Sequence, residues 1–350
     1  VPTGYGPLSV ATIPEPTIKD GTKHFNTVLY EGTGSKLTSP SLGFQPDLTW
    51  IKNRDDTDSH VMQDSARGDF IYYPDVWDDE GATGGGWVVE IADGFTADAN
   101  GPINTSGESF VAWCWKGNGG TNAANDDGAT DSTVQVNANA GFSMVKWTGT
   151  ASNTTVGHGL GVKPQMIIVK NRDDDEHWRV YHEDIAATHS LYLHQGDAKI
   201  DAHQVWNDTE PTSSVFSVGT YNSANGSSGD DDAMIAYCFS SVEGYSKAGS
   251  YTGNANANGT FVFTGFRPAW IMTKRTNDTG PWNILDDTRE TYNPREKNLR
   301  ADTDGTEDTG RDVDFLSNGF KLRNSGTEMN NGDYIYLAFA ETPFKYATAR

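Results

Sequence analysis

The chain has 350 residues and a formal net charge of −22. So acidic a surface excludes a phosphate-binding basic face, and we expect no nucleic-acid partner and no docking on an anionic membrane. No apolar run approaches the ~20 residues that a membrane span needs, so membrane insertion is not expected. Glycine, threonine, asparagine and aspartate are abundant, and this composition favours short strands joined by turns.

Residues 1–24 are predicted to form an extended arm or linker. The prolines of this segment interrupt any apolar periodicity, and prolines keep a chain extended. They are Pro2, Pro7, Pro14 and Pro16. The isolated apolar side chains between them suggest that the arm lies on its own body, on a neighbouring subunit or at the end of an upstream domain.

One sequence stretch occurs in three related copies. Each copy has a proline, a β-prone apolar run and a lysine six residues after the proline. The copies lie at residues 43–54, 161–172 and 265–275. A repeat of this length indicates duplicated modules, and the apolar run predicts a short strand in each of them.

Two further elements return with the same period. A third strand is predicted at 60–64, 178–182 and 282–286. A closing strand is predicted at 110–115, 234–239 and 334–339. The predicted fold class is therefore all-β, with three tandem related antiparallel β-sandwich or jelly-roll-like modules that have one solvated face.

The module boundaries follow from these repeats. Module 1 is predicted at 25–117, module 2 at 141–244 and module 3 at 245–350. Residues 118–140 begin with a polar, glycine-rich run and are predicted to be a flexible linker.

Cysteine and lysine recur at matching positions. Cys114 and Cys238 share one register, which Ala338 occupies in the third copy, so two buried thiols fit better than a disulfide. The repeated lysines are Lys52, Lys170 and Lys274. They could contact a ligand, but solvent-facing lysines that discourage edge pairing explain the duplication more simply.

Acidic loops are the candidates for a cation, because calcium takes six to eight oxygen ligands. None of the loops completes an EF-hand spacing, so solvated turns are the default, and calcium is an option rather than a required cofactor. The candidate ligands are Asp173, Asp174, Asp175, Glu176, Asp230, Asp231 and Asp232. The eight histidines lack the spacing of a metal site and are interpreted as scattered surface residues.

Aromatic side chains in the variable loops are the candidates for glycan binding. A sugar packs its apolar face on an aromatic ring, while acids and amides bond its hydroxyls. The candidates are Tyr72, Tyr73, Trp77, Trp87 and Trp206. Alternatively, these rings cap the ends of the sandwiches. No nucleophile elbow or phosphate loop is present and no carboxylate pair stands out, so we expect no enzyme and no catalytic residue.

Several segments together carry a resemblance to a known family. They include Gly-Phe-Gln-Pro-Asp-Leu-Thr-Trp-Ile-Lys-Asn-Arg (43–54), Val-Ala-Trp-Cys-Trp-Lys (111–116), Val-Gly-His-Gly-Leu-Gly (156–161) and Phe-Leu-Ser-Asn-Gly-Phe-Lys-Leu-Arg (315–323), with 251–254, 265–275 and 338–350. Over residues 14–350 the sequence resembles tailed-phage virion proteins of marine and cyanobacterial phages, which are described as tail-fibre-like, lectin-like or of unknown function.

The resemblance implies a non-enzymatic structural protein on the virion surface: a tail fibre, capsid fibre or decoration component with an adhesive or host-glycan-contacting role. Its partners would be identical subunits, other virion proteins and a host surface glycan. No binding residue carries over from the family. The alternative is a secreted or cell-surface microbial carbohydrate-binding module or filament subunit, and a polysaccharide-degrading enzyme is the weaker third option.

Overall fold

The structure is a computed structural model that describes residues 16–82 and 86–341. Strands hold 41% of the residues and helices 7%, and the strands form several antiparallel sheets. The predicted all-β class with sandwich modules is confirmed. Of the predicted arm, residues 1–15 lie outside the described residues. Its described end packs on the chain's own body, because Ile18 is buried in the largest core and a 3-10 helix follows at Gly21–Lys23.

Module 1 packs a six-stranded sheet on a three-stranded sheet. Its strands are β1 (Phe25–Glu31), β2 (Leu37–Thr38), β3 (Leu48–Asn53), β4 (Val61–Asp64), β5 (Phe70–Tyr72), β6 (Gly81–Ala82), β7 (Val88–Ile91), β8 (Gly94–Ala97) and β9 (Ser109–Trp115). The larger sheet has the order β1-β9-β3-β4-β5-β6 and the smaller one β2-β8-β7. A single helical turn, α1 (Gly101–Asn104), precedes the closing strand.

Module 2 has the largest sheet. Its strands are β10 (Ala123–Asn125), β11 (Ser132–Asn137), β12 (Phe142–Thr148), β13 (Thr154–Gly157), β14 (Met166–Asn171), β15 (Arg179–His182), β16 (His189–Tyr192), β17 (Ile200–Asp201), β18 (Val215–Val218) and β19 (Ala233–Phe239). Eight strands run in the order β10-β11-β12-β19-β14-β15-β16-β17, and β13 pairs with β18. The helical turns are α2 (His203–Trp206), α3 (Asn222–Asn225) and the 3-10 helices Ala138–Ala140 and Glu183–Ile185.

Module 3 has a five-stranded sheet and a three-stranded sheet. Its strands are β20 (Ser246–Thr252), β21 (Phe261–Phe263), β22 (Pro268–Arg275), β23 (Trp282–Asp286), β24 (Leu299–Arg300), β25 (Val313–Leu316), β26 (Gly319–Leu322) and β27 (Asp333–Ala340). The sheets have the orders β20-β27-β22-β23-β24 and β21-β26-β25. The large sheets therefore share one strand order, which is β1-β9-β3-β4-β5 in module 1, β12-β19-β14-β15-β16 in module 2 and β20-β27-β22-β23-β24 in module 3.

The larger sheets of all three modules share one central core. Side chains at matching positions of three strands enter it from each module. The strands are β3, β4 and β9 in module 1, β14, β15 and β19 in module 2, and β22, β23 and β27 in module 3. The side chains are Trp50, Met62 and Trp113, then Ile168, Val180 and Tyr237, then Met272, Ile284 and Leu337. The modules are thus not independent sandwiches, because the inner faces of their sheets are buried against one another.

The opposite face of each large sheet packs on the small sheet of its own module. Phe95, Phe216 and Phe320 fill these three outer cores. The predicted buried thiols are confirmed, since Cys114 and Cys238 are free and buried there. Both faces of the middle strands are therefore covered, and the expected solvated face is absent from strands such as β3 and β14, in which every residue is buried.

The repeated lysines are buried, so their interpretation as solvent-facing residues is wrong: Lys52, Lys170 and Lys274. Each lies two residues after a central-core side chain of its strand and therefore points to the same face. The module 2 lysine donates from Nζ to the carbonyl of Trp77 in module 1 at 3.1 Å. The module 3 lysine donates to the carbonyl of Gly196 in module 2 at 3.0 Å. Burial lowers the pKa of all three to about 8.

Ion pairs join module 1 to both neighbours. Glu80 of module 1 pairs with Arg172 of module 2 at 2.5 Å, and Glu307 of module 3 pairs with Arg54 of module 1 at 2.8 Å. All four side chains are at most 15% exposed. Arginine presents a fork of donors to both carboxylate oxygens, so these pairs fix orientation as well as contact.

The predicted flexible linker is wrong, because residues 118–140 contribute two strands to the sheet of module 2. Val134 of β11 pairs with Val145 of β12 and packs in the outer core. The glycine-rich start is tied to module 1 through Asp47, whose carboxylate accepts from three backbone N–H groups at 2.7, 3.0 and 2.5 Å. The donors are Gly117, Gly119 and Gly120.

Candidate functional site

The structure separates the five aromatic candidates. Tyr72 is buried in the central core and Trp206 in the outer core of module 2, so neither ring has a face that a sugar could contact. Their prediction as glycan-binding residues is wrong. Tyr73 and Trp87 are half-buried against the outer core of module 1, as the capping alternative expected. Only Trp77 of the five is exposed, with 51% of its surface accessible.

Trp77 lies on a cluster of rings that module 2 supplies. Its ring centroid is 5.5 Å from that of His177 and 6.4 Å from that of His194. The two imidazoles stack and share a hydrogen bond of 3.0 Å between Nδ1 and Nε2. Tyr192 completes the cluster at 4.6 Å from His177. We call these four side chains the ring cluster.

The β15–β16 hairpin positions the module 2 part of the ring cluster. Arg179 pairs with Tyr192 across the two strands. Continuing this antiparallel register by two residues sets His177 opposite His194, and residues two apart on a strand share a face. The histidines are therefore neighbours through hairpin register. The interpretation as scattered surface residues is wrong for this pair and also for His60, His158 and His182, which are buried.

All three modules hold the ring cluster in place. Lys170 of module 2 bonds the carbonyl of Trp77, and the backbone N–H of Asp79 donates to Asp175 at 3.0 Å. From module 3, the indole N–H of Trp282 donates to the carbonyl of Tyr192 at 2.7 Å. The exposed ring thus stands on anchored backbone, which reduces the ordering entropy that ligand binding would cost.

The histidines of the ring cluster are neutral at physiological pH. Burial lowers the pKa of His194 to about 3, and the positive charges of Lys170 and Arg179 add to the shift. Burial likewise lowers the pKa of His177. The shared hydrogen bond uses one nitrogen of each neutral ring, and His194 Nδ1 is buried, so His177 Nε2 is the imidazole nitrogen left for a sugar hydroxyl beside the aromatic face.

A cavity of about 370 Å³ adjoins the ring cluster through Tyr192. Arg179, on its floor, is only 1% exposed. Its guanidinium lies 4.6 Å from the ring centroid of Tyr192 and 4.7 Å from that of Tyr221. Its Nε donates to Ser223 Oγ in α3 at 2.7 Å. Residues around α2 form the rim: Asp201, Ala202, His203, Gln204 and Val205.

The first acidic loop is tied up in backbone contacts. Asp173 accepts from the N–H of Ala233 at 2.6 Å, and Asp175 accepts from Asp79 as described above. The backbone N–H of Glu176 donates to the carbonyl of Asp174 at 2.8 Å. These bonds close a turn and lock it to neighbouring segments.

The second acidic loop divides into exposed and buried members. Asp230 and Asp231 are exposed. Asp232 is buried and accepts from Asn171 Nδ2 at 3.1 Å and from the N–H of Ser227 at 2.7 Å. Over residues 16–82 and 86–341, no three His, Cys, Asp or Glu side chains are grouped so that they could hold a metal ion. The acidic side chains of these loops are accounted for by hydrogen bonds within and between turns and by solvent exposure.

Sequence reasoning identified Trp77 but missed its neighbours. His177, His194, Tyr192, Arg179 and Tyr221 gave no spaced motif. The signal that could have found four of them is the alternation Tyr-Leu-His at 192–194, opposite His177 and Arg179. That signal needs the hairpin register, which the sequence did not supply.

Residues 20–343 match a protein family described as a domain of unknown function, DUF7483. The chain belongs to this family. No curated protein matches the sequence. Among the described residues, no helix has the length and apolar character to cross a membrane.

Proposed function

We propose that the protein is a non-enzymatic structural component of a phage virion, in a tail fibre, capsid fibre or surface decoration, and that it contacts a host glycan. It acts on the particle surface, with identical subunits and other virion proteins as its partners. The virion assignment is supported by the resemblance at residues 43–54, 111–116 and 315–323.

The observation that carries the glycan role is the exposed ring of Trp77 above paired neutral histidines. An indole face covers the apolar side of a sugar, and the neutral imidazole of His177 can bond a hydroxyl through Nε2 without the desolvation cost of a charge. The ring is 51% exposed although its backbone is held from module 2. Tryptophan is over-represented among the residues that carry most of the binding energy of an interface.

The glycan role is tested by binding of the intact chain to an oligosaccharide array, with Trp77→Ala as the variant. We expect the variant to lose about tenfold or more in affinity, since stacking on a central aromatic ring dominates such contacts. Phe263→Ala is the matched control, because Phe263 is 57% exposed on module 3 and lies outside the ring cluster. Absence of binding by the wild-type chain would refute the glycan role, and equal binding by all three proteins would show that the glycan does not stack on Trp77.

The virion role is tested by immunogold electron microscopy of purified particles with an antibody against the chain. Label on tails or capsids is the expected result, and its position distinguishes a fibre from a decoration. Label on cell surfaces, with bare particles, would contradict the virion role and support a secreted or cell-surface microbial carbohydrate-binding module or filament subunit.

A further inference from the structure

We infer that the Arg179 cavity binds the anionic group of an acidic sugar, so that the glycan recognised beside Trp77 is negatively charged. This inference rests on the proposed function and specifies its ligand class. It comes from three observations at the cavity: the incomplete bonding of Arg179, the chemistry of the rim and the continuity with the ring cluster.

Arg179 is a buried cation with donors to spare. Its Nε is satisfied by Ser223 Oγ, but Nη1 is buried and has no hydrogen-bond partner among the described residues. Arg179 also forms no salt bridge within the described part of the chain, although acidic residues outnumber basic ones there. Two other buried arginines are paired with carboxylates at 2.6 Å, Arg67 with Asp64 and Arg289 with Asp286. The fourth buried arginine of the described residues, Arg295, is held by Asn293 Oδ1 and the carbonyl of Thr291.

Two tyrosine rings hold the guanidinium without neutralising it. Tyr192 and Tyr221 flank Arg179, and ring faces attract a cation through their quadrupole. Such contacts fix the plane of the guanidinium but accept none of its N–H bonds. A buried guanidinium with free donors and a fixed plane is prepared for a carboxylate or sulfate, which accepts two parallel bonds.

The rim of the cavity supplies groups for sugar hydroxyls. Gln204 carries an amide, and Asp201 faces His203 at 3.3 Å. Asp201 is the one carboxylate of the lining, and its side chain is 84% exposed, so solvent screens its repulsion of an anion. The cavity thus combines one buried cation with exposed hydroxyl-binding groups, as an acidic sugar requires.

Tyr192 connects the cavity to the ring cluster. Its ring centroid lies 4.6 Å from that of His177 and 4.6 Å from the Arg179 guanidinium. A sugar on Trp77 and an anionic group on Arg179 therefore occupy one continuous surface. The ligand class is an acidic oligosaccharide, a polyuronate or a sulfated polysaccharide.

The test uses calorimetry on the intact chain with matched oligosaccharide pairs. Each pair is a uronic-acid tetramer with its methyl ester, or a sulfated tetramer with its desulfated form. We expect the acidic member of at least one pair to bind about tenfold or more tightly than its neutral partner. Comparison of the uronate pair with the sulfate pair shows which anionic group Arg179 binds.

Variants locate the preference for charge. Arg179→Met is expected to bind both members of the pair equally, whereas Tyr292→Ala, at a side chain 83% exposed on module 3, should keep the wild-type difference. If Arg179→Met does not fold, Tyr221→Ala replaces it, because Tyr221 is 40% exposed and is expected to weaken only the acidic ligand.

The outcomes separate the two proposals. Equal affinity for acidic and neutral members overturns the Arg179 inference and leaves the glycan role standing. A charge preference that survives in Arg179→Met, or in Tyr221→Ala where that variant replaces it, also overturns it. Absence of binding to every array glycan and every tetramer overturns the inference together with the glycan role.

Discussion

Tyr237 of module 2 donates its hydroxyl hydrogen to a carboxylate oxygen of Asp64 in module 1, over 2.6 Å. The same contact recurs at another junction, where the indole N–H of Trp113 in module 1 donates to Asp286 in module 3 at 3.1 Å. Donors and acceptors occupy matching positions of the closing and third strands. All four side chains are buried, so duplication preserved an inter-module hydrogen bond as well as a fold.

Each acceptor also belongs to a buried ion pair. Arg67 Nε lies 2.6 Å from Asp64, and Arg289 Nε lies 2.6 Å from Asp286. The junction between modules 2 and 3 replaces the whole set. His182, Ile185 and Leu337 occupy the positions of the acid, the arginine and the donor, and all are buried. Charge and partner were exchanged together, which avoids a buried unpaired charge.

Tyr237→Phe is expected to destabilise the protein by about 1–2 kcal/mol, because Asp64 loses one donor in a buried site while the ring volume is kept. Urea unfolding followed by tryptophan fluorescence measures the change. Tyr292→Phe is the control, since Tyr292 is 83% exposed. An equal loss in the two variants would contradict a specific role for the junction bond.

Arg67→Ile alone is expected to cost about 3–5 kcal/mol, because Asp64 stays buried without its cation. Adding Asp64→His and Tyr237→Leu copies the third junction of the chain. We expect this triple variant to recover about half of the lost free energy of unfolding or more, since all members of the set change together. A triple variant less stable than Arg67→Ile would refute the proposed equivalence of the junctions.

Lys170→Met is expected to cost about 2 kcal/mol, because the carbonyls of Trp77 and Asp174 lose their buried donor. Release of the Trp77 loop should also weaken glycan binding. Lys163→Met is the matched control: Lys163 is 30% exposed and pairs with Glu183 and Glu210 at the surface. A loss below ~1 kcal/mol is expected there, with glycan binding retained. Unchanged binding in Lys170→Met would show that the lysine does not position the ring.

Stability should fall in acid because of His60. Its Nδ1 accepts from the indole of Trp50 and its Nε2 donates to the carbonyl of Arg300, both at 2.9 Å, so the neutral ring is fully bonded. Burial lowers its pKa to about 3. Between that pH and the unfolded value of about 6.5 the unfolded chain binds the extra proton, so stability is complete above about pH 6.5 and is lost as the pH falls.

The measurement is urea unfolding of wild type and His60→Asn from pH 4 to 7. The difference between the two free energies of unfolding should change by about 1.4 kcal/mol per pH unit below pH 6, with wild type losing more. Carboxylates common to both proteins cancel in this difference. Parallel curves would contradict a neutral, bonded His60 in the folded state.

Much of the architecture was predictable from the repeats. The sequence of each module contains short apolar runs separated by glycine turns, and such local patterns predict strands. The shared register of Cys114, Cys238 and Ala338 also predicted a buried position, because duplicated modules keep the same side of a strand inside. Trp77 could be selected as a loop aromatic, although four similar rings could not be told from it.

Tertiary structure alone decided which sheet faces meet. Lys52, Lys170 and Lys274 look solvent-facing within one module, and they are buried because a neighbouring module covers that face. The ring cluster joins Trp77 to His177 and His194, about a hundred residues away in the chain. A local pattern predicts which side chains of a strand share a face, whereas packing between modules depends on contacts between residues that are distant in the chain. The sequence therefore determined the modules, and their mutual packing determined the junctions and the candidate site.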